Sequence, residues 1–187
     1  DDVVLDPRGA LYLAADSRIR KVGLDGVITT VAGATVNVID KGCGGDGGPA
    51  NEAQVYDPGS IAVDAQGNLY IADTHCHRIR KVTIDGIIRT IAGMGVAGYA
   101  VDGASAAVTK LMFPRQIAIA AQNAIYVSDQ SCYIKKISPD GIIGPVAGAG
   151  CLGGNWYSGD GGPATAAKIG LYVAEISFDV RGTLYFA

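Results

Sequence analysis

Between residues 60 and 93 the chain reads SIAVDA, NLYIAD, RIRKVT and IIRTIAG, four short runs in which apolar and polar positions alternate. A side-chain period of two is that of a β-strand. Val, Ile, Tyr and Thr outweigh strong helix formers in such runs, which favours the same reading. In SIAVDA and IIRTIAG both faces are apolar, so these strands lie between two layers.

The pattern recurs, with four landmarks in fixed order. A Tyr after an apolar residue comes first: Leu11-Tyr12, Leu69-Tyr70, Ile125-Tyr126 and Leu184-Tyr185. IRKV follows at 19–22 and 79–82, and IKKI at 134–137. The turns Asp25-Gly26, Asp85-Gly86 and Asp140-Gly141 come next, then VAG or IAG beginning at 31, 91 and 146. A glycine-rich stretch closes each unit. It carries GDGGPA at 45–50 and 159–164 and a degraded VDGASA at 101–106, a period of about 57 residues. Units therefore run over 1–55, 56–112 and 113–170, with a partial one at 171–187.

Each unit reads as four strands joined by tight turns. DPRGALY, DAQGNLY and DVRGTLY place an Asp, able to bond its own downstream backbone, before a Gly that accepts positive φ. The third unit departs, with Ala120 and Asn123 in those places; Asn tolerates the left-handed region. A four-stranded sheet sticky on both faces must stack on its neighbours. Radial stacking of such sheets is a β-propeller. The fold class is thus all-β, with about three and a half four-stranded antiparallel blades and an incomplete ring.

GNLYIADTHCHRIRKVTIDGIIRTIAG followed by GDGGPATAAKI resembles the NHL-repeat propellers, in particular extracellular members with long SGDGGPA loops between blades. The resemblance covers essentially the whole chain and implies fold far more than function. Such propellers usually close with more blades than are present here. The resemblance therefore implies either a longer chain or another copy covering the ends.

In a propeller the long connectors and the loops after the second strands share one face. Cys43 and Cys151 lie in connectors, Cys76 and Cys132 in those loops. The favoured pairing is Cys43–Cys76 and Cys132–Cys151, which implies an oxidising compartment. Free thiols and a zinc site using His75 and His77 are the rivals, but no Cys-x-x-Cys spacing supports zinc. Asp46, Asp102 and Asp160 are read as structural, capping a short helix after the glycines. The rival, a Ca²⁺ site, needs several oxygens close together. Asp73 and Asp129 are expected to pair with Arg78 or Arg80 at a blade edge. The doublets Arg20-Lys21, Arg80-Lys81 and Lys135-Lys136 are expected to lay their stems on apolar surface with their heads in water. An anion-binding stripe is the alternative.

The net charge of −3 gives no basic face for nucleic acid. No apolar run is long enough for a membrane-spanning helix. The chain starts without Met or a signal peptide, so it reads as mature or as a fragment. With two histidines, no histidine triad can be built, and no nucleophile–base pair is identified; no catalytic residue, metal or cofactor is assigned. Tyr99, Trp156 and Tyr157, aromatics on glycine-rich connectors, are the candidate binding residues. The expected function is a secreted or cell-surface scaffold that binds a protein or glycan through its loop face. Two alternatives stand: an extracellular propeller lyase or hydrolase with its catalytic groups mostly elsewhere, and a self-assembling filament subunit.

Overall fold

The computed structural model describes residues 2–34, 42–151 and 157–187. Three four-stranded antiparallel sheets follow one another along the chain. Blade 1 holds β1 (Asp2–Leu5), β2 (Leu11–Ala15), β3 (Arg18–Val22) and β4 (Ile28–Ala32). Blade 2 holds β5 (Pro58–Val63), β6 (Leu69–Asp73), β7 (Arg78–Val82) and β8 (Ile88–Ala92). Blade 3 holds β9 (Gln116–Ile119), β10 (Ile125–Asp129), β11 (Tyr133–Ile137) and β12 (Ile143–Ala147). A short pair, β13 (Tyr157–Ser158) with β14 (Lys168–Ile169), precedes the half-blade β15 (Ile176–Phe178) and β16 (Leu184–Phe186). The first strands of successive blades, β1, β5, β9 and β15, lie side by side.

The turns follow the chemistry of their residues. Asp6, Asp64 and Asp179 each accept amides two and four residues downstream. In the departing third turn Gln122 and Asn123 both take positive φ. The glycine of VAG or IAG is obligatory. At Gly93 φ is +84°, and a Cβ would stand 2.2 Å from the His77 carbonyl.

Alternation divides each middle strand between two cores. Leu69 and Ile71 of β6 pack with Tyr12, Ala14 and Ile19 of blade 1. Their neighbours Tyr70 and Ala72 pack with Ile125, Val127 and Ile137 of blade 3. A third core joins Ile134 and Ala147 to Ile169, Val173 and Ile176. At about 1.5–3 kcal/mol per buried Leu, Ile or Val side chain, these inter-blade cores dominate the stability.

The GDGGPA stretch is an edge strap. Gly47 and Ala50 donate amides to the Ile88 and Gly86 carbonyls, and the Ile88 amide returns to Gly48. The strap so covers the outer strand of the next blade, while Gly33 and Ala34 tie it to the blade before. The second strap repeats this: Gly103 and Ala106 donate to Ile143 and Gly141. An edge strand left bare invites foreign pairing, and the straps remove that hazard.

Three expectations are corrected. The Pro-Ala segment forms a 3-10 turn of three residues, Ala50–Glu52 or Ala164–Ala166, with no side-chain cap. Asp46 instead reaches blade 2, because the strap lies flat along β8 and carries it to Arg80. Arg80 is wholly buried rather than headed into water. Its Nε and Nη2 donate to Asp46 Oδ1 at 3.1 and 2.8 Å, Nη2 also to the Gly44 carbonyl, and Nη1 to the Gln54 carbonyl and Asp73. Those contacts occupy the whole guanidinium fork. Thr90 Oγ1 donates to the other Asp46 oxygen at 2.6 Å. Asp73, third, is a fully buried group and not an edge one. In blade 3 the buried Lys135 takes the place of Arg80, 3.6 Å from Asp102.

The second basic residue of each doublet folds back across the sheet. Lys21 lies over Tyr12 and 3.6 Å from Asp6, Lys81 over Tyr70 and 3.9 Å from Asp64, and Lys136 over Tyr126. Ala120 stands at the carboxylate position of blade 3, so Lys136 has the ring alone there.

Burial opposes the charge of Asp46, but bonds from Thr90 and Arg80 outweigh it and hold its carboxyl below the usual range. For Asp73 burial wins. It pushes the carboxyl up to about 6 against the Tyr56 amide and the 3.4 Å contact with Arg80.

Arg80→Met is expected to cost about 3–5 kcal/mol, since it strands a buried carboxylate and frees the strap. Arg80→Lys is expected to cost less, because Lys135 does this work in blade 3. Urea unfolding of the three proteins measures it. A second expectation concerns pH. Asp73 carries a proton in the folded state up to about pH 6, whereas its ordinary value is 3.8. Folding therefore binds a proton in that window, and the Asp73 contribution falls as pH rises from about 4 to 6. Asp73→Asn is expected to flatten this fall, read as the difference in urea midpoint between pH 4 and pH 6.5.

Candidate functional site

The most constructed surface lies where β6 turns into β7. After Asp73 the chain makes a 3-10 turn, Thr74–Cys76, and His77 takes left-handed backbone at φ 52°. The same region receives the ends of two straps, with Asp57 at φ 51° and Phe113 at φ 48°. Left-handed backbone is uncommon outside glycine, least so at Asp and His, and here three such residues cluster. What holds them is cross-linking from several elements. Cys43 is bonded to Cys76. Thr74 Oγ1 donates to the Pro114 carbonyl at 2.7 Å, and Arg78 Nη1 to the Cys43 carbonyl at 3.0 Å. The Asp57 amide donates to Ser17 Oγ at 3.3 Å, reaching back to blade 1.

The side chains form a contiguous aromatic group. The Tyr56 and His75 rings are 4.8 Å apart, His75 meets Phe113 edge-on at 5.7 Å, and Phe113 meets His77 edge-on at 4.3 Å. His75 Nδ1 lies 2.9 Å from Asp57 Oδ2, so a carboxylate orients that imidazole. His77 Nδ1 accepts the Phe113 amide at 3.4 Å. Burial, then the neighbouring His75, pushes His77 below its usual pKa and keeps it the neutral acceptor this bond needs. His75 and Asp57 are exposed, and Tyr56, His77 and Phe113 half-buried. The group presents part-exposed rings and one oriented imidazole at the surface.

The matching place on blade 3 is built differently. Cys132, at φ 61°, is bonded to Cys151. Asp129 accepts the Met112 and Ser131 amides and the Ser131 hydroxyl, and burial raises its carboxyl despite them. Arg115 lies against the Tyr172 ring at 5.2 Å.

The sequence-selected residues divide accordingly. Cys43 meets Cys76 and Cys132 meets Cys151, which leaves the Cys76 sulfur unavailable as a thiolate between the histidines. Asp46 and Asp102 sit in the straps on buried cations, and Asp160 is exposed on the third strap. Tyr99 and Tyr157 are 61% and 78% exposed but lie in different straps. Trp156 lies outside the described residues. The structure does not bring Tyr99 and Tyr157 into one site; it assembles Tyr56, His75, His77 and Phe113 instead. Sequence reading missed that group because Tyr56 and Phe113 look like strand-start residues and lie far from the histidines along the chain. The spacing offered one signal: Tyr56 and Met112 each follow their strap Asp by the same interval, which sets Phe113 beside the Tyr56 position. Among the described residues, no three His, Cys, Asp or Glu approach closely enough to hold a metal ion. Among them too, no helix is long and apolar enough to cross a membrane.

Comparison with known proteins agrees with this architecture. Residues 32–100, which span the first strap and blade 2, match the family model of the teneurin NHL domain. Mouse teneurin-1 is 40% identical over 86 residues, 40% of this chain and 3% of that protein. Drosophila teneurin-m is 29% identical over 193 residues, 92% of this chain and 7% of that protein. The chain thus spans only a small part of these relatives' length. Among solved structures, a protein of unknown function from Bacteroides thetaiotaomicron superposes with a TM-score of 0.75 at 17% identity, over all of this chain and 44% of the other. An auxiliary nutrient binding protein from the same organism gives 0.68 at 16% identity, over 99% of this chain and 44% of that one. A streptogramin B lyase gives 0.59 at 15% identity, over all of this chain and 47% of that one. The repeated motif, the stacked four-stranded blades and these likenesses together show an NHL-repeat β-propeller architecture, similar over residues 32–100 to the teneurin NHL domain.

Proposed function

We propose that the chain is a non-enzymatic interaction module of an extracellular or surface protein and that it binds a protein or glycan through its loop face. The observation that carries this is the aromatic–imidazole group, part-exposed yet held by the Cys43–Cys76 bond and hydrogen bonds to two straps, with left-handed backbone at Asp57, His77 and Phe113. Backbone of that kind persists where surrounding structure over-determines it, and such places tend to be binding sites. Flat rings with a polar edge and little rotamer freedom suit a recognition surface. Disulfides fit an oxidising compartment, in keeping with an extracellular location. The likeness to the teneurin NHL domain supports the reading of an interaction or scaffold module. The repeat limits 1–55, 56–112, 113–170 and 171–187 belong to the same proposal, as does the use of Tyr99 and Tyr157 as outer contacts.

A panel of purified ectodomains and glycans tests the reading by surface binding. For any ligand found, the pair His75→Ala and Phe113→Ala is expected to weaken binding by about tenfold or more, the scale of a lost aromatic anchor. Leu24→Ser with Ile84→Ser, at the Asp-Gly turns of the opposite face, is expected to leave it unchanged. The reverse pattern would sink the proposal; thermal melts confirm that both variants fold.

A further inference from the structure

A groove between blades 1 and 2 opens at the Asp-Gly turns, on the face opposite the ring group. Its walls are the β1–β2 turn, the first strap and the β5–β6 and β7–β8 turns, and its volume is about 480 Å³. Small-molecule sites commonly have about 300–1,000 Å³. Leu69 and Val82, paired across β6 and β7, make an apolar floor. Asp6 and Lys21 stand in the wall, and Arg8, Asn51 and Gln66 are exposed at the rim.

Asp6 differs from its counterpart in blade 2. There Asp64 engages both oxygens: Oδ1 accepts the Gln66 and Asn68 amides, and Oδ2 accepts Asn68 Nδ2 at 2.7 Å and the Tyr70 hydroxyl at 3.1 Å. Asp6 Oδ1 likewise accepts the Arg8 and Ala10 amides. Ala10, however, takes the place of Asn68 and has no carboxamide to offer. Among the described residues, no hydrogen bond reaches Asp6 Oδ2. Lys21 Nζ stands 3.6 Å away, beyond hydrogen-bond reach. The Asp6 side chain is only 6% exposed, and what it exposes lies in the groove. A carboxylate oxygen so placed is a costly arrangement that a bound donor relieves.

The ligand chemistry follows from this pair. An ionised carboxylate only accepts and an ammonium only donates. A group that bridges them donates to Asp6 and accepts from Lys21, which a hydroxyl does with one oxygen. The two charges cancel, so neither an anion nor a cation is favoured. The carboxamides of Asn51 and Gln66 at the rim match further groups that both donate and accept, set on a compact frame whose apolar side covers Leu69 and Val82. We propose that the groove is a binding site for a neutral sugar of one or two rings, with a hydroxyl seated between Asp6 Oδ2 and Lys21 Nζ. The site shares no residue with the ring group.

The test titrates the whole chain with the methyl glycosides of glucose, galactose, mannose and N-acetylglucosamine and with lactose and cellobiose, read by amide chemical shifts. Saturable shifts with at least one probe are expected at Lys21, Asn51 and Gln66. Ala10→Asn supplies the carboxamide that Asn68 gives to Asp64. It is expected to weaken binding by about tenfold or more while the melting temperature holds or rises, because the bond to Asp6 is then made within the chain. Lys21→Met is expected to weaken binding by a similar factor, the scale of a lost charged hydrogen bond. His75→Ala with Phe113→Ala is expected to leave it unchanged, so this site and the loop face stand or fall separately. Three results overturn the proposal. One is no saturable shift with any probe up to ~10 mM, a decade weaker than millimolar affinity. Another is binding indifferent to both Ala10→Asn and Lys21→Met. The last is binding of N-acetylglutamine amide in place of the glycosides, which would make a peptide carboxamide the occupant.

Discussion

Each sheet of this molecule is apolar on both faces, and neither face can be buried within the sheet itself. Everything else answers that constraint. Leu69 and Ile71 look one way along β6 while Tyr70 and Ala72 look the other, so a single strand belongs to two cores. A blade removed from its neighbours would expose both. Stability is therefore a property of the interfaces between blades, as in other repeat proteins.

Stacking buries faces but leaves outer edges, and the straps solve this second problem. Their glycines allow the backbone to run close along β8 and β12, and their aspartates bury a cation beneath them. The clamp is held at a cost visible in Asp73, whose carboxyl is kept partly uncharged by its surroundings although it faces Arg80. Arg80 satisfies Asp46 and two strap carbonyls first, at shorter distances, and Asp73 receives what remains of its fork. The strap is thus tied by charge, by backbone pairing and, in the first copy, by a disulfide to the loop of the next blade.

That same tying shapes the loop face. Because each strap returns to the first strand of its blade beside the turn at the end of the second, residues distant in sequence meet there. Tyr56 and Phe113 arrive from two straps and His75 and His77 from one loop. Every ring contact runs through a histidine of that loop, which the Cys43–Cys76 bond and the Thr74 hydrogen bond hold in place.

The sequence by itself determined the strands, their grouping in fours and the stacking of two-sided sheets, because period-two patterning and turn chemistry are local and repeat visibly. It also marked GDGGPA as a structural element, since a recurring Asp among glycines has few other uses. The partner of that Asp was decided only in three dimensions. IRKV alternates like any strand, and nothing in its letters says that the first Arg of the doublet turns under a strap while the Lys after it crosses to a tyrosine ring. The aromatic group was equally hidden, for Tyr56, His75 and Phe113 become neighbours only when strap and loop are brought to one end of the blade. Local pattern fixes which way a side chain faces; what it faces depends on the segment that folds over it.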